Sequence, residues 1–166
     1  MAATTVARLY QGGIPLPTRG TIPSAANQFF PKGTMVSLDA SANGVAPTDG
    51  DGLTVAGVVS STYDNRTGSE FGGLAGSIDL DVDYGEHSFP YTGTAPKMFE
   101  FLYAVDNQTV SVDSDSGQRG FAGISLGVRN GEARCWLGPI AALVAAVLTN
   151  AAAVADHEDR IQVLEQ

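Results

Sequence analysis

The side chains that most often carry chemistry are few in this chain, and they stand far apart in the sequence. The single cysteine, Cys135, lies beside Trp136 in an apolar run, and the two histidines are His87, next to Glu86, and His157. A nucleophile needs a base within hydrogen-bond reach, and these positions form no Ser-His-Asp or Cys-His pattern. One cysteine also provides too few ligands for a structural zinc ion. We therefore expect a protein that is not an enzyme and that has no cofactor and no metal.

Three carboxylates alternate with apolar residues in the run 77–84. Asp79, Asp81 and Asp83 share one face of the predicted strand, at intervals of about 6.6 Å set by the strand rise. That spacing is too wide for all three to bind one calcium ion, whose ligand distances are about 2.3–2.6 Å. The pattern predicts an acidic surface that faces solvent or a partner, and a metal site is the least favoured reading.

Two acidic loops have a composition typical of calcium loops, Asp49-Gly50-Asp51-Gly52 and Asp113-Ser114-Asp115-Ser116-Gly117. Neither has the spaced acidic series that ends in Glu, so we interpret both as turns in which Asp side chains bind local backbone groups. The glycine-rich stretch 68–76 lacks the lysine and the spacing of a phosphate-binding loop.

Length and charge narrow the class of protein. A chain of 166 residues suits one domain with appendages, and its net charge of −9 argues against binding nucleic acid through phosphate contacts. The longest apolar run is shorter than the roughly 18 residues of a membrane span, and the first residues lack the pattern of a secretory signal. We expect a protein made inside a cell, with no membrane partner.

A short arrangement of residues occurs twice. Each copy has a strand, an Asp turn, a second strand, a loop rich in Gly, Asp and Ser, and then Ala-Gly followed by an aliphatic residue. The copies run from 35 to 59 and from 101 to 124. Asp39 matches Asp106, and Gly57 matches Gly123. Neither copy contains a set of catalytic side chains, so the repeat predicts a β scaffold whose function lies in its surfaces.

Residues 32–138 form the predicted β domain. Short apolar or alternating runs separated by Asn-Gly, Asp-Gly and Gly-Gly are typical of antiparallel strands joined by tight turns. Asn130-Gly131 predicts a type I′ hairpin turn. The predicted fold is mainly β, a small antiparallel sandwich or barrel. The predicted strands are 34–38, 55–60, 77–84, 99–104, 109–113, 121–128 and 133–137.

Residues 1–31 predict an extended N-terminal arm. Repeated prolines remove backbone donors and favour extended geometry, while the apolar content is too high for a solvated linker. The arm is expected to lie on its own domain or on a neighbouring subunit. Its apolar residues are Leu9, Tyr10, Ile14, Leu16, Phe29 and Phe30.

Residues 139–166 predict an alanine-rich helix that Gly138-Pro139 can start. Apolar residues recur at a helical spacing, and the last residues resemble the opening of a short coiled coil. This helix either packs on the β body or associates with another copy. Its apolar face comprises Ile140, Val144, Val147, Ala151, Val154 and Ile161.

Five segments together resemble the small head decoration, or cement, proteins of tailed bacteriophages. The resemblance covers roughly residues 29–138, and the alanine-rich helix departs from it. The segments are Phe30 to Val36, Ala56 to Val59, Leu102 to Val110, Phe121 to Ile124 and Cys135 to Leu137.

The resemblance implies a structural virion protein that binds the outer surface of a capsid, where neighbouring major capsid subunits meet, and stabilises contacts between capsomers. The implied partners are the major capsid protein and copies of the chain itself, with a trimer favoured over a dimer. The protein would be made in the host cytoplasm and located on the outer capsid surface. The apolar arm residues would bind the capsid, and the helix from Ile140 would contact other copies or project outward.

Two alternatives remain open from the sequence. A subunit associated with a phage tail or fibre would share the β body and the start of a coiled coil. A carbohydrate-binding module would use aromatic rings in its loops, namely Tyr63, Phe71, Phe89 and Tyr91.

Overall fold

A computed structural model describes residues 18–139 of the chain, and these residues form thirteen β-strands. The mainly β fold class is confirmed, and each strand predicted from the sequence is present with small shifts at its ends. The predicted C-terminal helix and residues 1–17 of the predicted arm lie outside the described residues. The strands are β1 Arg19–Pro23, β2 Gln28–Phe30, β3 Met35–Leu38, β4 Gly44–Val45, β5 Val55–Val59, β6 Tyr63–Asn65, β7 Asp79–Asp83, β8 Gly85–Phe89, β9 Tyr91–Thr92, β10 Met98–Ala104, β11 Val110–Ser111, β12 Phe121–Arg129 and β13 Glu132–Leu137.

The predicted arm and domain boundaries differ from the observed layout at the N-terminal side. β1 and β2 fall within residues 18–31, so the β body includes this stretch. β1 pairs with β7 through five residues, from Arg19 opposite Asp83 to Pro23 opposite Asp79. Pro23 is tolerated because β1 is an edge strand, where a missing backbone donor costs no ladder hydrogen bond.

Two sheets make up most of the body, and they repeat one plan. The first sheet has the order β1-β7-β5-β3-β4, and the second has the order β8-β13-β12-β10-β11-β9. We call residues 19–83 the first unit and residues 85–137 the second unit. In each unit the opening strand lies beside the closing strand, and three further strands follow in the same order, β5-β3-β4 in the first sheet and β12-β10-β11 in the second.

The correspondence extends to details of pairing. After β1, Ser24 makes a parallel bridge to Gly44 of β4; after β8, β9 pairs in parallel with β11, with Tyr91 opposite Val110. A register shift lies between Val36 and Ser37 in β3, and a matching shift lies between Leu102 and Tyr103 in β10. The chain therefore contains two copies of a complete five-stranded unit, which is more than the short repeat seen in the sequence.

The matched glycines of the repeat have a shared structural reason. Gly57 lies opposite Val36, and Gly123 lies opposite Leu102, each beside the closing strand of its unit. A Cβ at Gly57 would lie 2.9 Å from the Asp83 carbonyl oxygen, and one at Gly123 would meet the Trp136 backbone and lie 2.6 Å from Cys135 Sγ. Close approach of the neighbouring strand thus requires glycine at both positions.

Each sheet has two faces, which we name by their buried residues. The front face carries Ile22, Val36 and Leu80 in the first unit and Phe89, Leu102 and Ala133 in the second. The opposite face of each sheet is its back face. On the back face of the first unit, Met35, Val55 and Val58 share one hydrophobic cluster with the front face of the second unit. The two sheets therefore stack back to front, which is a sandwich arrangement.

Three kinds of contact join the units around this cluster. Met35 N donates to the Asn107 carbonyl over 2.8 Å. The Arg119 guanidinium forms an ion pair with Asp49 at 2.6 Å. Gly120 packs so closely on the backbone of Leu53 that a Cβ would overlap the Leu53 carbonyl group.

A two-stranded ribbon formed by β2 and β6 covers the front face of the first unit. Phe30 of β2 is fully buried in the front-face cluster, and Tyr63 of β6 packs against it. Asn65, also fully buried, donates from its amide to the carbonyls of Ala25 at 2.9 Å and Leu74 at 2.7 Å. This side chain therefore ties the ribbon to the glycine-rich loop that follows it.

Candidate functional site

Within the described residues, the surroundings of the Cys135 thiol and of the His87 imidazole indicate structural roles for both groups. Cys135 is fully buried in the cluster between the units, and burial raises the pKa of its thiol to about 12. His87 lies on β8, paired opposite Cys135, and burial lowers the pKa of its ring while Asp83 and Glu86 act in the opposite direction. A protonated, enclosed thiol is a poor nucleophile.

The acidic loops form turns, as their composition predicted. Asp51 accepts hydrogen bonds from the backbone N–H groups of Thr48 at 2.6 Å and Leu53 at 2.8 Å. Asp113 accepts one from the Asp115 N–H at 2.9 Å. Among residues 18–139, no group of three or more His, Cys, Asp or Glu side chains is arranged to hold a metal ion.

The acidic strand has the alternation expected from its sequence. Leu80 and Val82 are buried, while Asp79 and Asp81 are exposed on the opposite face. Asp83 is partly neutralised by Arg19, whose Nε lies 2.8 Å from its carboxylate, and Asp81 accepts a hydrogen bond from the Tyr63 hydroxyl at 3.1 Å. The three carboxylates therefore form an acidic row on one face of an interior strand, with one cation at its end.

The predicted arm residues within the described part of the chain have different surroundings. Phe29 is 39% exposed, and the Arg66 guanidinium lies 4.5 Å from the centre of its ring. Phe30 has no exposed surface, because it fills the space between the ribbon and the first sheet. A capsid cannot reach the Phe30 side chain in this fold. Leu9, Tyr10, Ile14 and Leu16, and all six predicted helix residues, lie outside the described residues.

The two ends of the described chain meet at Tyr84, which links the units. The Tyr84 N–H donates to the Thr18 carbonyl over 2.8 Å. Gly138 packs on the same residue, with an ideal Cβ 3.1 Å from the Tyr84 Cβ. An apolar groove of about 370 Å³ opens here, and its lining includes Leu53, Tyr84 and Pro139. Residues 18 and 139, at which the described part of the chain begins and ends, therefore lie at one place on the body.

A second apolar surface lies on the back face of the second unit. It was not predicted from the sequence. Met98 is 59% exposed and Phe99 is 72% exposed at an irregular point of β10. Beyond them Phe101 packs edge-on against Phe121, with ring centres 5.6 Å apart. The internal repeat could have revealed this surface, because its residues occupy the positions of a buried face in the first unit. Partly buried residues complete it, namely Tyr103, Val112, Ile124, Leu126 and Trp136.

The aromatic residues of the predicted carbohydrate site do not form a shared exposed platform. Phe89 is only 3% exposed and belongs to the cluster between the units, with Tyr91 packed against it. Tyr63 is bonded to Asp81, which leaves Phe71 as the one strongly exposed ring of the four.

Comparisons with protein-family models, with curated proteins and with solved structures give no match to this chain. Over residues 18–139, no helix has the length and apolar character needed to cross a membrane. The surfaces described above are therefore the basis for assigning a function.

Proposed function

We propose that this protein is a structural virion protein that binds the outer surface of a phage capsid and stabilises contacts between capsomers. The observation that supports this most is that both ends of the described residues meet at Tyr84. Thr18 and Gly138 contact that residue from opposite ends of the chain. A folded body whose two apolar terminal segments begin at one place is suited to contacting neighbouring capsid subunits through those segments.

The rest of the body is consistent with a structural role. Within residues 18–139, the thiol is enclosed, the acidic loops are turns, and the architecture that the two units share is built from packing and strand pairing. The segments that resemble decoration proteins lie in this duplicated body. The binding partner in this proposal, a capsid lattice, is what the resemblance to that family implies.

In the proposed mechanism, the N-terminal segment provides the capsid contacts through Leu9, Tyr10, Ile14 and Leu16, and Phe29 adds an exposed ring on the body. Ordering of a short apolar segment costs conformational entropy, which burial of its side chains offsets. The body fills the gap between capsomers. Many identical sites on one shell then convert a modest contact into a large stabilisation.

The test is sedimentation of the purified protein with capsids that lack it, followed by imaging of the bound particles. We expect saturable binding at regular positions on the shell. A variant without residues 1–17 should keep its fold and bind capsids weakly. A longer truncation is unsuitable, because it would remove β1 and its pairing with β7.

A matched control is Leu74→Asp, which changes a residue that is 72% exposed and distant in sequence from the terminal segments. This variant should bind capsids normally. Normal binding by the truncated protein would contradict the role of the N-terminal segment. Absence of binding to heads, with incorporation into tails, would favour a tail or fibre subunit.

A further inference from the structure

We propose that the hairpin turn at Asn130 and Gly131 is a site of covalent modification, where the Asn130 side-chain amide becomes a carboxylate through a ring closed by the Gly131 nitrogen. These residues join β12 to β13, and the last pair of the ladder before them is Arg129 opposite Glu132. Both turn residues are exposed. Asparagine is one of the thermolabile residue types in proteins, and its conversion needs only hydroxide and water.

The reaction begins when hydroxide removes the proton from the Gly131 backbone nitrogen. That nitrogen attacks Asn130 Cγ, the bond from Cγ to Nδ2 breaks, and the side-chain nitrogen takes a proton from water and leaves as ammonia. Water then opens the five-membered imide ring at one of its two carbonyls. Opening at Cγ gives aspartate, whereas opening at the Asn130 main-chain carbonyl gives isoaspartate, in which the chain passes through the side-chain carbons. Nothing is oxidised or reduced in either step.

Two features of Gly131 favour the ring closure. Glycine has no side chain to obstruct the approach of its nitrogen to Asn130 Cγ, and even an added Cβ would meet nothing within 4 Å. In a two-residue hairpin loop, the hydrogen bond that closes the turn joins the flanking residues, here Arg129 and Glu132. The ladder therefore does not hold the Gly131 N–H, and hydroxide can reach it.

The chain contains a second Asn-Gly pair, Asn43-Gly44, whose surroundings oppose the same reaction. Asn43 is held at both backbone groups, because its N–H donates to Asp39 Oδ1 and its carbonyl accepts from the Asp39 N–H, each over 2.9 Å. Gly44 is buried, and an added Cβ would lie 2.8 Å from Leu80 Cδ1. Its carbonyl accepts from the Ala25 N–H over 2.9 Å. Rotation of this peptide towards the ring geometry would break these contacts.

The products would change the hairpin in two ways. Each adds one negative charge next to the exposed Glu132, in a chain whose net charge is already −9. Isoaspartate also adds a methylene group to the backbone of a two-residue loop, whose length matches the twist of the flanking strands. We expect the end of the hairpin to fray, starting at Val128, which is 41% exposed and next to a register shift.

The experiment incubates the folded full chain at pH 8.5 and follows the products by trypsin digestion and mass spectrometry. Trypsin isolates residues 130–134 in one peptide and residues 33–66 in another. We expect the mass change from amide to acid to accumulate at least about tenfold faster at Asn130 than at Asn43, because Asn43 can react only after local opening of the fold. The peptide 130–134 should give two products of equal mass, and its rate of conversion should rise with pH.

Two controls separate the effect of the fold from that of the dipeptide. In denaturant neither Asn-Gly pair is held by the fold, so the rate in the folded chain relative to denaturant should fall strongly only at Asn43. Asn130→Asp should fold like wild type and show no mass change in residues 130–134.

A fall at Asn130 as large as the fall at Asn43 would overturn the inference, as would a rate at Asn130 that does not rise with pH. The inference does not rest on the proposed capsid function, because the assay contains no capsid.

Discussion

The two units have one strand plan and differ in what covers their faces. In the first unit, the ribbon covers the front and the second unit covers the back, so the apolar residues of both faces are buried. In the second unit only the front is covered within the described residues. The same positions hold Met35, Val55 and Val58 in one case and Phe101, Phe121 and Ile124 in the other. The comparison teaches that two copies of one strand plan can have equivalent faces of which one is packed and the other is partly exposed within the described residues.

The largest expected effect comes from the equivalent pair Met35 and Phe101. Met35→Ala should lower the free energy of unfolding by about 2–5 kcal/mol, since it leaves a cavity between the units. Phe101→Ala should cost the monomer only about 1–2 kcal/mol, because its side chain lies on a partly open face. Urea denaturation at low protein concentration checks both. Equal losses would contradict the assignment of one covered and one open face.

The contact between the units can be tested at Gly120. Gly120→Ala should lower the free energy of unfolding by about 1–3 kcal/mol, because the new methyl group meets the Leu53 backbone. Gln118→Ala is the nearby control, since its exposed side chain should tolerate truncation. Chemical denaturation of both variants gives the comparison. A Gly120→Ala protein as stable as wild type would mean that the units pack less closely than described.

A substitution at Phe99, the strained residue on the partly exposed face, should raise the free energy of unfolding, whereas Gly120→Ala lowers it. Phe99→Gly should raise the free energy of unfolding of the monomer by about 1 kcal/mol, because glycine adopts a φ of +69° without the penalty of a side chain. Thermal unfolding at low protein concentration measures the change. A fall in monomer stability would show that the Phe99 side chain supports the fold.

The smallest expected effect is a pH dependence at the boundary between the units. Burial lowers the pKa of His87 below its usual 6.5, so the unfolded state binds the proton more readily. Stability from this residue is complete above pH 6.5 and falls as the pH drops below that value towards the lowered pKa of the folded state. Denaturation at pH 7.5 and 5.5 should show a smaller difference in stability in His87→Gln than in wild type, and an equal difference would contradict the burial of the His87 ring.

Much of the fold could be predicted from local patterns. The run 77–84 alternates strictly, and its buried and exposed residues follow that alternation. Asn130 and Gly131 have φ values of +53° and +82°, as the predicted hairpin turn requires. These features depend only on residues that are close in the sequence, so they could be predicted from it directly.

The opening strands β1 and β8 were missed for a physical reason. Residues 19–23 include glycine and proline, and residues 85–89 are mostly polar, so neither run has a strong strand pattern. Each becomes a strand by pairing with the closing strand of its unit, some 50–60 residues later in the chain. Strand formation at such positions depends on the tertiary partner. Because β1 and β8 become strands only through this long-range pairing, the full extent of the duplication could not be predicted from the sequence.

The amino-acid sequence by itself determined the mainly β class, the tight turns, the acidic row on β7 and the presence of a repeat. Each of these arises from the local spacing of polar, apolar and glycine residues. Tertiary structure decided that Phe30 is buried, that the two ends of the described residues meet at Tyr84 and that the back face of the second unit is partly exposed within residues 18–139. Those outcomes depend on which distant surfaces come together. Equivalent residues in two units have different surroundings for that reason alone.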